Sequence, residues 1–173
     1  MKAVLAIFLL PIFLVAQNQS SAVASACGVE KISMLVDLDH SQHLIEQPET
    51  GKARIYFIQQ TGLNEKGVVI GASEITKIGI DGQWVGANKK DSYFSVSVEP
   101  GEHHLCMAPQ MAPSPSYGDV ELVHLVVEAG RVYYYRTRIS SERPPIFLGL
   151  NQVDSDEAEY LIASDWLARA HTK

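Results

Sequence analysis

With 173 residues and a formal net charge of −6, the chain has room for one domain with a real core. Its 14 Lys and Arg against 20 Asp and Glu form no basic cluster. That argues against binding to nucleic acid or to an anionic membrane surface, both of which need clustered cations.

The first 26 residues read as a secretory signal peptide: Lys2 supplies the positive n-region and Val4 to Val15 an apolar run broken only by Pro11. Ala22-Val23-Ala24 and Ala24-Ser25-Ala26 then offer small residues for cleavage, with the cut expected after Ala26. The apolar run is shorter than the ~20 residues that span a bilayer, and no later stretch matches it. The expected protein is therefore exported.

Cys27 and Cys106 are the only cysteines. In an oxidising compartment they can form a disulfide closing a loop of about 80 residues. Two other readings stand beside it. Cys27 can be a lipidated N-terminus, with Ala24-Ser25-Ala26-Cys27 as lipobox, or both thiols can be free and one a metal ligand. The disulfide and the lipid anchor exclude each other at the Cys27 sulfur.

After the leader, residues 27–50 form an N-terminal segment with a first strand near Ile32 to Leu38. Asp37, Asp39, His40 and His43 nearby are either solvated surface or a zinc site. Residues 51–173 are expected to form a β-sandwich domain. Ala53 to Gln60 is nearly continuously apolar, as in a strand buried on both faces. Short strands follow to Ile80, where Asp81-Gly82 marks a two-residue hairpin turn with positive φ at both positions. On Tyr93 to Val98 the residues Phe94, Val96 and Val98 share one face, while Tyr93, Ser95 and Ser97 share the other. Pro100-Gly101 turns the chain again and predicts a second hairpin.

His103 and His104 are neighbours and so point to opposite faces of a regular strand. Residues 108–118 have three prolines and no periodicity, which makes an irregular exposed loop; Met111, Pro113, Pro115 and Tyr117 are its candidate contact residues. Val120 to Val127 and Val132 to Ser140 are expected to pair as a hairpin across Glu128 to Arg131. Its three tyrosines either pack in the core, with Tyr134 at the edge beside Arg136 and Arg138, or form a platform for a glycan or peptide. A closing strand runs from Ile146 to Val153. A C-terminal helix over residues 155–170 starts at the N-cap Asp154, with Glu157 three residues on, and lays Ala158, Leu161, Ile162, Trp166 and Ala170 along one stripe.

These residues resemble a bacterial family catalogued as domain of unknown function 2846. The resemblance rests on Gly51 to Phe57, Ile80 to Gly86, Ser92 to Phe94, Pro100 to His103 and Glu128 to Tyr134. The Glu-Pro-Gly-Glu turn is also similar to that of exported β-domains named after a Pro-Glu-Gly-Ala turn. The resemblance implies a compact β-sandwich in the cell envelope, with exported or lipid-anchored relatives, and assigns no catalytic residue.

No serine-nucleophile elbow, phosphate-binding loop, zinc-protease motif or dinucleotide fingerprint is present. The fold class expected is mainly β: an antiparallel β-sandwich with one C-terminal α-helix. The function expected is a non-enzymatic envelope domain, without cofactor, that binds or scaffolds an envelope protein or glycan through its loops. The alternative is a periplasmic copper or zinc binder using His103, His104, Cys106, Met107 and Met111, where soft and imidazole donors crowd within nine residues.

Overall fold

The computed structural model describes residues 21–28, 32–41, 45–63, 69–70, 74–110, 120–140 and 147–173. A short helix, α1 (residues 21–27), is followed by β1 (Met34–Asp39), β2 (Ala53–Gln59), β3 (Gly62–Leu63), β4 (Val69–Ile70), β5 (Ile75–Ile80) and β6 (Gln83–Lys89). Then come β7 (Ser92–Val98), β8 (Gly101–Pro109), β9 (Glu121–Val127), β10 (Val132–Ser140), β11 (Phe147–Val153), α2 (Ser155–Ser164) and β12 (Trp166–Thr172).

The strands build a six-stranded sheet in the order β1-β12-β7-β2-β10-β11, a four-stranded sheet β6-β5-β8-β9, and the small pair β3-β4. The protein is a mainly β sandwich of two sheets. The six-stranded sheet is mixed, since β2 runs parallel to β10 and β12 parallel to β7.

Alternation along the strands sorts the side chains into layers. Between the sheets lie Ile55, Phe57, Phe94 and Tyr135 of one sheet against Ile78, Ile80, Leu105 and Met107 of the other. On the far face of the six-stranded sheet, Tyr56, Ile58, Tyr93 and Tyr134 pack under α2 through Ala158, Leu161 and Ile162. Strand β2 is thus buried on both faces, which is why it shows no polar alternation. Helix α1 covers the outer face of the four-stranded sheet, where Val23, Ala26 and Cys27 meet Cys106, Trp84 and Val120.

Four expectations change. The C-terminal helix stops at Ser164 rather than reaching residue 170. Asp165 is extended, and Trp166–Thr172 fills the slot between β1 and β7 as a strand. There Trp166 and Ala170 exchange a helical stripe for backbone pairing that β1 and β7 would otherwise lack. The strands β9 and β10 do not form a hairpin. β9 pairs with β8, and β10 with β2 and β11, so residues 128–131 carry the chain from one sheet to the other. Likewise Pro100-Gly101 is a crossing between sheets, because β7 lies in the larger one and β8 in the smaller. Finally, residues before Gly51 are part of the sandwich, with β1 paired to β12 along its whole length. Of the expected leader, residues 1–20 lie outside the described residues, and residues 21–27 are helical. No helix among the described residues is long and apolar enough to cross a membrane.

Candidate functional site

The end of the sandwich where β5 turns into β6 carries the densest polar geometry outside the helices. Asp81 and Gly82 both have positive φ, at 50° and 80°, as a type I′ turn requires. The turn is pinned to β8. Asp81 N–H donates to the His104 carbonyl at 3.0 Å, and His104 N–H donates to Asp81 Oδ1 at 2.8 Å.

The second carboxylate oxygen of Asp81 lies 2.6 Å from His103 Nδ1, and His103 Nε2 lies 2.7 Å from the Glu99 carbonyl oxygen. Both partners are acceptors, so the ring donates from both nitrogens and is an imidazolium. Partial burial pulls its pKa down; the bonds to Glu99 and Asp81 outweigh that and leave it raised. Burial pushes the Asp81 carboxyl up, but the His104 N–H and the His103 ring outweigh it and leave it lowered.

This clamp ties the hairpin tip to the crossing between sheets. One ring nitrogen faces the Asp81 carboxylate and the other a backbone carbonyl, so both are occupied in this arrangement. Beside it opens a cleft of about 270 Å³ walled by Ile80, Val85, Val96 and Val98, with polar atoms from Asp81, Gln83 and Ser97. A second cleft, about 380 Å³, lies between Arg131, Tyr133, Gln152 and the start of α2 at Asp154.

Cys27 and Cys106 are joined as a disulfide, with their Cα atoms 5.0 Å apart. That bond occupies the sulfur at which a lipid anchor would attach, and it withdraws Cys106 from the set of five expected metal donors. The rest of that set does not converge either. Met107 is fully buried between the sheets, His103 is held in the Asp81 clamp, His104 points from the opposite face of β8, and Met111 lies outside the described residues. Among the loop candidates, Met111, Pro113, Pro115 and Tyr117 all lie outside the described residues.

The tyrosine platform does not form. Tyr134 is buried under α2 and stacks on Tyr56 at 5.4 Å, Tyr135 faces Phe57 between the sheets, and Arg136 is bonded to Glu157 at 2.7 Å. Near β1, Asp39 accepts from Ser41 and from Arg169, and the Ser41 bonds above all bring its pKa to about 2. His40 lies against Trp166 with ring centres 4.1 Å apart, and His43 is outside the described residues.

Sequence reasoning missed two groups. His124 on β9 stands directly across from His104, with ring centres 5.3 Å apart. It shares the exposed face of β9 with Leu122 and Val126, but which strand lies opposite was not legible in the sequence. Asp165, only 1% exposed, takes two hydrogen bonds from Gln60 Nε2 at 2.7 and 2.6 Å.

A family described as protein of unknown function (DUF2846) matches residues 49–149. The match spans more than half of the chain, from β2 to the start of β11, and the chain belongs to that family. No curated protein matches it.

Proposed function

We propose that this protein is an exported, envelope-associated domain that binds or scaffolds another envelope molecule and catalyses no reaction. The observation that carries the reading is the Cys27–Cys106 disulfide, which ties the chain at Cys27 to the outer face of the smaller sheet. Such bonds persist in oxidising compartments and are rare in the cytosol. The leader-like residues before Cys27 point the same way. The Asp81–His103 pair supports a non-catalytic role, because both nitrogens of the ring are spent on holding the hairpin.

The contact surface fits the hairpin end of the sandwich, where the cleft beside Val96 opens; the Pro-rich segment 111–118 is a separate contact candidate. A cleft lined about equally by apolar and polar atoms suits an amphipathic side chain of a partner protein. Two experiments test this. Thiol trapping in intact cells, combined with fractionation, is expected to find both cysteines oxidised in the envelope fraction; free thiols in the cytoplasm would overturn the location. Envelope cross-linking is expected to capture a partner that Val96→Arg and deletion of residues 111–118 both weaken. An unchanged partner set in both variants rules this surface out.

A further inference from the structure

We propose that His104, His124 and Glu102 form a surface site for a divalent transition-metal ion, with zinc as the best fit. His104 on β8 and His124 on β9 are paired directly across the ladder, so their side chains leave the same face of the sheet. Glu102 precedes His104 by two residues and shares that face, and its Oε2 lies 3.9 Å from His124 Nε2.

The spacing of the rings fits the ion. Zinc–imidazole bonds are about 2.0–2.1 Å, and the ring centre lies roughly 1.1 Å beyond the bound nitrogen. Two imidazoles on one tetrahedral ion therefore have centres about 5.2 Å apart. His104 and His124 stand at 5.3 Å.

The backbone beneath them is stiff. His104 is held on one side by the β9 ladder and on the other by Asp81, which bonds both its N–H and its carbonyl. Among the described residues no three His, Cys, Asp or Glu side chains already stand as a closed cage. The ion therefore gathers the Glu102 carboxylate by rotation of an exposed side chain that is 75% accessible. Two imidazoles and one carboxylate leave a fourth position open, for water or for a donor from a partner. The donor set is nitrogen and oxygen, which suits Zn(II), Ni(II) and Cu(II) rather than the soft Cu(I) ion.

Titration of the purified chain with zinc chloride, followed by calorimetry, is expected to show one equivalent bound. His104→Ala and His124→Ala are each expected to weaken binding by more than about tenfold, since even losing a hydrogen-bond partner of a metal ligand costs roughly 10–100-fold. The exposed His171→Ala is expected to leave it unchanged. With Cu(II) in place of zinc, electron spin resonance is expected to show two coordinated nitrogens. Far-UV circular dichroism checks that each variant is folded. Absence of binding by the unmodified chain, affinity indifferent to both histidine substitutions, or a single coordinated nitrogen would each overturn the site.

Discussion

Gly79 lies directly beneath Cys27: a Cβ at residue 79 would stand 2.9 Å from Cys27 Cα and 3.1 Å from the Cys27 carbonyl oxygen. Both are backbone atoms and cannot rotate away. The glycine is therefore present because the chain at Cys27 comes down onto β5, and no unusual φ requires it. Gly79→Ala is expected to destabilise the protein by about 1–3 kcal/mol, the ordinary cost of overpacking. Urea denaturation measures it. A change below about 0.5 kcal/mol would mean that Cys27 is not seated there.

The disulfide makes the same contact covalent. Cys27 and Cys106 are 79 residues apart, and chain entropy alone assigns closure of such a loop up to about 4–5 kcal/mol, with measured values often smaller. Cys106→Ser, or reduction of the unmodified chain, is expected to lower the denaturation midpoint. Cys27→Ser should lower it equally, because each removes the same bond. Unequal losses would indicate that one thiol has a separate role.

Local chemistry was legible in the sequence wherever one short segment decided the outcome. The turn at Asp81-Gly82 needs two positive φ values, and β2 declares burial by its nearly continuous apolar run; across the length of the chain, two cysteines admit one intramolecular pairing. What stayed hidden was which strand lies beside which. Residues 128–131 read equally well as a hairpin loop or as a crossing between sheets, since both need only a tight polar turn. The error about β9 then concealed His124, whose meaning depends on having His104 opposite. The helix end was missed because Trp166 and Ala170 continue the α2 stripe by spacing, although β1 and β7 claim them by hydrogen bonding.

The imidazolium of His103 sets one pH dependence. Its raised pKa means that its contribution to stability is complete below the unfolded value of about 6.5 and is lost as pH rises through the folded value. Asp81→Asn isolates the charge, because asparagine also tolerates positive φ and still accepts from the His104 N–H. An NMR titration of His103 is expected to give a pKa above 6.5 in the unmodified chain and a lower one in Asp81→Asn. The same value in both would show that the carboxylate is not what holds the proton.

Asp165 acts in the same direction from the other end of the sandwich. Burial raises its pKa to about 7; the bonds from Gln60 oppose the rise and the nearby Asp91 charge adds to it. The unfolded carboxyl ionises near 3.9, so between pH 4 and 7 the folded state holds a proton that the unfolded state has released. Stability contributed by this group therefore falls as pH rises through that window, by at most about 4 kcal/mol. Asp165→Asn removes the charge, and the Gln60 amide can turn to present its oxygen to the new amide group. The variant is expected to be more stable than the unmodified chain at pH 8, and to lose that advantage at pH 4. Thermal melts at the two pH values check it. With His103 also losing its proton on the alkaline side, the unmodified chain should melt highest in mildly acidic buffer. A melting temperature that climbs steadily from pH 5 to pH 8 would show that neither buried group controls its stability.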